Sequence, residues 1–399
     1  MGLLKILFVL FLILFPVAEV GRIQFLNGVA ISLNDIILGA LILVWLGVHL
    51  YKKKRFDKSF LARPIVVFSL IAAVSLALNF INLTFDRFLI SFAYLLRWAS
   101  YASLYFIVKE FDLKFKLKTS YVLLFSGFLV VLLGFVQYFF YPSLRNLYYL
   151  GWDEHLYRLF SSFLDPNFAG AFFALFFLFS ISFIPGFTKN KKRLSFMSVS
   201  AVAALTLGAL YLTYSRSALI MLIVGVIVYL YIINKKKFIA LVLIAILLSI
   251  FILPKSFQTE GTNFLRVASS EARITATEEA IAVFQKSPLY GVGFNAYRYA
   301  RNQQGLSAAA WQLSHGGAGT DNSFLFVLAT TGIVGLTVFL WMLYKMISLG
   351  FINRKKNKYS VVLVSVLVGL IFNSIFINSL FYVFILEWVW IVTALTENS

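Results

Sequence analysis

The sequence predicts an all-α, polytopic membrane protein with about twelve spans of roughly 20 residues each. Three observations predict it. Of the 399 residues, 61% are hydrophobic and 13% are charged, whereas soluble domains run near ~45–50% and ~25%. The mean hydropathy is +0.89, so lipid must be the solvent for most of this surface. The apolar runs are also continuous, as in VLLFSGFLVVLLGFV at 122–136 and FIALVLIAILLSIFIL at 238–253. A membrane β-barrel strand would alternate apolar and polar residues. These runs therefore read as helices, which satisfy their own backbone hydrogen bonds inside lipid.

In chain order the expected spans are 3–20, 32–50, 64–81, 88–108, 119–141, 165–184, 196–214, 217–234, 238–254, 322–348, 360–378 and 380–396. The N-terminal stretch MGLLKILFVLFLILFPVAEV has the charge and length of a signal peptide. It lacks a small-x-small cleavage site, and reads as an uncleaved first helix. The last two segments form a hairpin or a broken helix. Neither an internal repeat nor a soluble domain is evident, so 1–399 is expected to be a single integral membrane domain.

The formal charge is +19. On a soluble protein it would point to nucleic acid; here the lysines are topogenic and no nucleic-acid partner is expected. Basic clusters lie at Lys52–Lys58, Lys114–Lys118, Lys189–Arg193, Lys235–Lys237 and Arg354–Lys358. With twelve spans every cluster falls on one side, which makes that side and both termini cytoplasmic. The sequence contains no cysteine, which excludes disulfides, thiol nucleophiles and cysteine metal sites. Metal-binding His-Glu-x-x-His, phosphate-binding P-loop and dinucleotide-binding glycine patterns are missing as well, so neither a metal nor a cofactor is expected.

Two long connections fall on the other face, roughly 142–164 and 255–321, the second a large extracytoplasmic loop before the tenth span. Loops of this length are commonly functional. A helix is expected over 271–286, with Ile274, Ile281 and Phe284 on one face beside Thr277, lying on the membrane surface. This face carries Arg22, Arg87, Arg145, Arg158, Arg216, Arg266, Arg273, Arg298 and Arg301 against only Lys255 and Lys286. Arginine presents a rigid fork of donors that matches phosphate oxygens in pairs; lipid headgroups or the acids Glu271, Glu278 and Glu279 are the plainer partners. Arg97 lies inside an apolar segment, where a charge is costly and usually functional. Arg216 lies in TYSRSALI (213–220), a minimal hairpin between two spans. Arg273 is expected to open the surface helix, whose free N–H groups also favour an anion. Aromatic residues ring these loops (Tyr148, Tyr149, Trp152, Tyr157, Tyr290, Tyr297 and Trp311) and suit either sugar stacking or an interfacial belt.

Four segments together resemble the O-antigen ligase and polymerase superfamily (WaaL-like ligases, Wzy-like polymerases). They are FSSFLDPNFAG (160–170) with Asp165, Pro166 and Asn167; TYSRSALI with Ser215 and Arg216; Arg273 followed by KSPLYGVGFNAY (286–297), with Pro288, Gly291 and Gly293; and DNSFLFVLATTGIVGL (321–336), with Asn322, Gly332 and Gly335. The resemblance covers about 158–340. One position departs: the ligases carry histidine where this chain has Asp321, as many polymerase-like members do.

The resemblance implies a GT-C-like membrane glycosyltransferase in the bacterial cytoplasmic (inner) membrane, working on its outer face. The donor would be an undecaprenyl-diphosphate-linked glycan and the acceptor a glycan or lipid. Arg216 and Arg273, with Arg97 and Arg158 as further candidates, would stabilise the leaving diphosphate. Asp321 would act as base, or would simply cap the tenth span. His315, in the flexible SHGGAGT, is a second candidate base or a plain loop histidine. Ser215, Asn322 and Asn167 would complete the substrate site. A polymerase is the first reading and a ligase the second. A transporter or flippase is the third, since twelve spans with both ends inside is a common transporter plan, but polar groups gather here in a loop rather than at the midplane.

Overall fold

The structure, a computed structural model, describes residues 2–26, 29–53, 59–184, 193–241, 244, 259–263, 268–306 and 319–397. Within them the chain is almost wholly helical. The apolar helices are α1 (Gly2–Leu14), α2 (Leu33–Lys52), α3 (Ala62–Leu78), α4 (Phe85–Lys109), α5 (Leu113–Phe140), α6 (Pro166–Ile181), α7 (Arg193–Leu212), α8 (Arg216–Ile232), α11 (Ser323–Asn353), α12 (Lys358–Asn373) and α13 (Val383–Thr396). Between α8 and α11 stand the polar helices α9 (Ala268–Lys286) and α10 (Tyr297–Gln303). One element departs from the all-α expectation: Arg22–Leu26 (β1) pairs antiparallel with Val29–Ser32 (β2) between α1 and α2. The expected 238–254 segment lies largely outside the described residues, as do His315, Arg266 and Trp311.

Helices occupy the other expected spans, but length divides them. Five are long and apolar enough to cross a membrane: Gly2–Gly21, Leu33–Tyr51, Leu113–Phe140, Arg193–Leu212 and Ser323–Asn353. Helices such as α6, with 16 residues, and α13, with 14, rise about 1.5 Å per residue and fall short of a hydrocarbon core of about 30 Å. A count of twelve is therefore not reached by helix length alone. Three of the short helices are the most enclosed: α6, α12 and α13 are buried around nearly their whole circumference. They form the centre of the bundle, where α12 packs on α8, α13 on α4, and α6 on α7 and α8. Aromatic side chains fill this centre. Trp388 of α13 meets Phe172, Phe176 and Phe179 of α6 edge-on at 5.2–5.8 Å, a favourable arrangement for ring quadrupoles.

The glycines of the fourth sequence motif serve a break in α11. At Gly332 the backbone turns to φ 67°, ψ −170°, a region almost reserved for glycine. The segment 288–293 lies against this break. Val292 N–H donates to Ala329 O at 3.0 Å, Gly293 N–H to Thr330 O at 3.1 Å, and Ile333 N–H to Pro288 O at 2.9 Å. From α3, Ser75 Oγ donates to Thr330 O at 2.7 Å and Asn79 Nδ2 to Gly291 O at 2.9 Å. Backbone groups freed by the break are thus satisfied by protein, as an apolar surrounding requires. A Cβ on Gly291 would stand 2.3 Å from Thr330 C, so the two backbones touch only because glycine is present.

Candidate functional site

Three helices begin at one end of the bundle, and each start is set by local chemistry. Asp165 caps α6, accepting from Asn167 N at 2.6 Å and Phe168 N at 3.3 Å, with Pro166 in the first turn, where its missing N–H costs nothing. Ser215 stands at the cap of α8, and Arg216 is that helix's first residue. Asn322 caps α11, accepting from Phe324 N at 2.8 Å and Leu325 N at 3.0 Å. The cap of α11 is therefore Asn322, not Asp321. That corrects the cap reading of Asp321; the Oδ1 of Asn322 is taken up by the helix start.

Close packing brings these starts together. At Gly170 a Cβ would fall 2.7 Å from Ala218 Cβ and 3.2 Å from Ser215 Cβ, so α6 and α8 nearly touch. Asn167 Oδ1 accepts from Ser215 Oγ at 3.2 Å and from Arg158 Nη2 at 3.3 Å, while Arg158 Nε donates to Thr213 O at 2.9 Å. Arg158, 6% exposed, is thus a tie between the 142–164 connection and the α7–α8 turn. The backbone around this tie is strained: His155, Tyr157, Ser161, Leu164 and Tyr214 all take positive φ, which is uncommon outside glycine and clusters at functional sites.

Arg273 completes the cluster from α9. It lies within electrostatic reach of Asp321, Arg216 and Asp165. It sits more than a turn inside α9, which starts at Ala268, so it does not open that helix as the sequence suggested. Burial lowers the Arg273 pKa from its ordinary value, and Asp321 acts in the opposite sense; a guanidinium remains charged throughout. Burial likewise raises the Asp321 carboxyl above the usual carboxylate value, against the pull of Arg273 and with the help of Asp165 and Asp153. Asp321 stays open to solvent on one side. Two arginines, the Asp165 carboxylate of the α6 cap, the Asp321 carboxylate with raised basicity and three helix N-termini therefore share one locality. Helix N-termini carry the positive end of the macrodipole, so the cluster suits an anion held next to a base.

Beside Asp321 lies a cavity of about 310 Å³ lined by Ala272, Thr275, Ala276, Glu279, Tyr297, Arg301, Gly319 and Asp321. Glu279 and Arg301 pair twice across it, Nε to Oε2 at 2.8 Å and Nη2 to Oε1 at 3.0 Å. Burial pushes the Tyr297 phenol up to about 12. The sequence named these residues only as outer acids, arginines and aromatics, since an i, i+22 pairing leaves no local signal. His155, 4.0 Å from Asp165, also went unnoticed.

Arg97 is placed elsewhere. Its Nε donates to Asp35 Oδ1 at 2.9 Å, Nη2 pairs with Asp35 Oδ2, and Tyr101 Oη donates to the same carboxylate at 3.1 Å. Asp35 belongs to the capping box of α2. The deep charge has a bidentate partner that its sequence neighbourhood does not reveal, and that partnership occupies the fork proposed for diphosphate. Glu387, fully buried, accepts from Asn34 Nδ2 at 3.0 Å. The expected isoleucine stripe forms the outward face of α9. Ala280 and Val283 are buried against Tyr297, Ala300, Phe326 and Ala329, whereas Ile274 is 60% and Ile281 41% exposed. Small residues let α9 approach α11, which turns the isoleucines outward. Among the described residues no group of three His, Asp or Glu side chains is placed to hold a metal ion.

The fold and site define an all-α, multi-pass membrane protein with an arginine–carboxylate cluster at one end of its bundle. Residues 201–340 match the family model described as O-antigen ligase, and over that segment the resemblance to the O-antigen ligase and polymerase superfamily holds. The matched stretch includes Arg216, Arg273, Asp321 and the glycines of the α11 break; Arg158, Asp165 and Asn167 lie before it. No curated protein matches the chain.

Proposed function

We propose that this protein is a glycosyltransferase that polymerises undecaprenyl-diphosphate-linked repeat units into a surface polysaccharide on the outer face of the cytoplasmic membrane. The observation that carries this reading is the meeting of Arg216 and Arg273 with Asp321 at three helix N-termini. An acceptor hydroxyl attacks the anomeric carbon of the donor as its proton passes to the Asp321 carboxylate. The bond from that carbon to the diphosphate oxygen breaks, and the electron pair leaves with the diphosphate. Negative charge grows on the leaving group, where fixed guanidinium groups and N-terminal dipoles stabilise it; removal of one such donor costs about 10²–10³ in rate elsewhere. Asp321, raised above an ordinary carboxylate, is a better-matched base near neutral pH. Arg158 and Asn167 hold the α6–α8 junction that aims Arg216.

The family description, O-antigen ligase, favours a second reading, in which the finished glycan moves to a lipid, protein or cell-wall acceptor. Asp321 at the ligase histidine position favours polymerisation. A transporter is less well supported, because the break in α11 is filled by segment 288–293 rather than left open to a midplane site. Purified protein with a lipid-diphosphate-linked oligosaccharide decides between them. A ladder of longer lipid-linked products, lost in Arg216→Ala and Asp321→Ala, is the expected result. Transfer only to an added acceptor identifies a ligase. Absence of any transfer, with substrate flux in proteoliposomes, overturns the enzyme reading.

A further inference from the structure

The cavity next to Asp321 differs in electrostatic character from the arginine cluster. Arg216 and Arg273 bring two guanidiniums near Asp321, together with the Asp165 carboxylate, which is engaged in the α6 cap. The cavity beside Asp321, whose lining does not include Arg216 or Arg273, carries two carboxylates, Glu279 and Asp321, and one guanidinium, Arg301. A phosphate would meet net negative charge in this lining. The Glu279–Arg301 pair is only 16% and 22% exposed, and it presents both fixed acceptors and fixed donors to the cavity. An uncharged polyhydroxyl ligand uses both, since each hydroxyl donates one hydrogen bond and accepts others. Ala272, Ala276 and Gly319 give the lining stretches without bulk, which suit the C–H face of a sugar ring, and Tyr297 adds an aromatic body with a polar tip. A volume of about 310 Å³ is at the lower end of small-ligand sites, roughly 300–1,000 Å³.

We propose that this cavity is the acceptor-saccharide subsite, in which Glu279 and Arg301 hold neighbouring hydroxyls of the terminal sugar so that the reacting hydroxyl meets Asp321. The inference rests on the glycosyl-transfer reading and adds to it the direction of approach. The donor diphosphate lies on the Arg216–Arg273 side, the acceptor sugar lies on the Glu279–Arg301 side, and Asp321 stands between them. The reaction balances as written above: one C–O bond forms to the acceptor oxygen, one breaks to the diphosphate, and the acceptor proton goes to Asp321. In this arrangement Glu279 and Arg301 are specificity-determining residues.

The test uses the full-length protein in detergent. The donor is the lipid-diphosphate glycan extracted from the organism's membranes, and the soluble acceptor is the same glycan released from its lipid by mild acid. Glu279→Gln is expected to raise the acceptor KM by roughly ten- to a hundredfold, the value of a hydrogen bond to a charged group, while the donor KM keeps its wild-type value. Thr275→Trp fills the cavity from an exposed position, one helical turn from Glu279, and leaves both charges of the ion pair in place. It is expected to abolish the saturation-transfer NMR signal of the free acceptor glycan, which needs no donor. The double exchange Glu279→Arg with Arg301→Glu keeps the ion pair that ties α9 to α10, and so separates folding from recognition. It is expected to leave the melting temperature near wild type and the acceptor KM raised. Full recovery of the acceptor KM in the exchange variant overturns the proposal and leaves the pair a structural tie. An acceptor KM within twofold of wild type in Glu279→Gln, or an acceptor NMR signal that survives Thr275→Trp, also overturns it. Wild-type protein that transfers no sugar at all overturns instead the glycosyl-transfer reading on which it stands.

Discussion

Replacement of Gly332 by alanine tests whether the break in α11 is built into the fold. The residue adopts φ 67°, ψ −170°, a conformation that costs a side-chain-bearing residue about 1–3 kcal/mol. The new Cβ would also stand 2.2 Å from Leu289 O and 2.3 Å from Leu289 C. Both are backbone atoms, so no rotamer change relieves the overlap. Withdrawal by about an ångström to ordinary contact breaks or lengthens the bonds from Ile333 N to Pro288 O at 2.9 Å and from Val334 N to Leu289 O at 3.4 Å, each worth about 0.5–1.5 kcal/mol. The expected cost is about 2–6 kcal/mol. Gly39→Ala is the matched control, because a Cβ there meets nothing within 4 Å and alanine favours helix. Thermal unfolding of purified protein in detergent, read by intrinsic tryptophan fluorescence, is the assay. Gly332→Ala should melt well below wild type and Gly39→Ala close to it. If both variants melt together, segment 288–293 does not support the break, and the account of this motif fails.

Arg216→Ala and Arg273→Ala should each lower kcat for transfer by about 10²–10³, the usual worth of an electrostatic donor to a leaving group, with the melting temperature retained; a change confined to KM would contradict a role in the transition state. The acid limb of the pH–rate profile should lie above the ordinary carboxylate value of 3.8, because burial raises Asp321. Activity rises with pH through that limb as the base deprotonates. Arg273 holds the Asp321 pKa down, so in Arg273→Gln the limb should move to higher pH in the residual activity, and a limb that stays fixed or moves down refutes the pairing. Arg97→Ala should destabilise by about 3 kcal/mol by leaving Asp35 without its counter-charge, measured by melting, with the donor KM unchanged; a raised donor KM would restore Arg97 to the diphosphate site.

Composition and periodicity determined the solvent of this protein and the position of its helices, because burial in lipid imposes long apolar runs that are visible residue by residue. The order of its four motifs also brought Arg216, Arg273 and Asp321 into one proposal. Arg216 and Asp321 lie at helix starts, where local residue types such as Asp-Asn-Ser announce the boundary, whereas Arg273 lies more than a turn inside α9 and was drawn in by the resemblance. The tertiary structure decided the partners. It gave Arg97 to Asp35, 62 residues away, gave the α11 cap to Asn322, and turned Ile274 and Ile281 outward as Ala280 and Val283 packed inward. It also joined Glu279 to Arg301 beside Asp321. Apolar runs and helix caps are local, and a single sequence displays them. A charge pairs with whatever the fold places within a few ångströms, and that distance is fixed only when the helices pack.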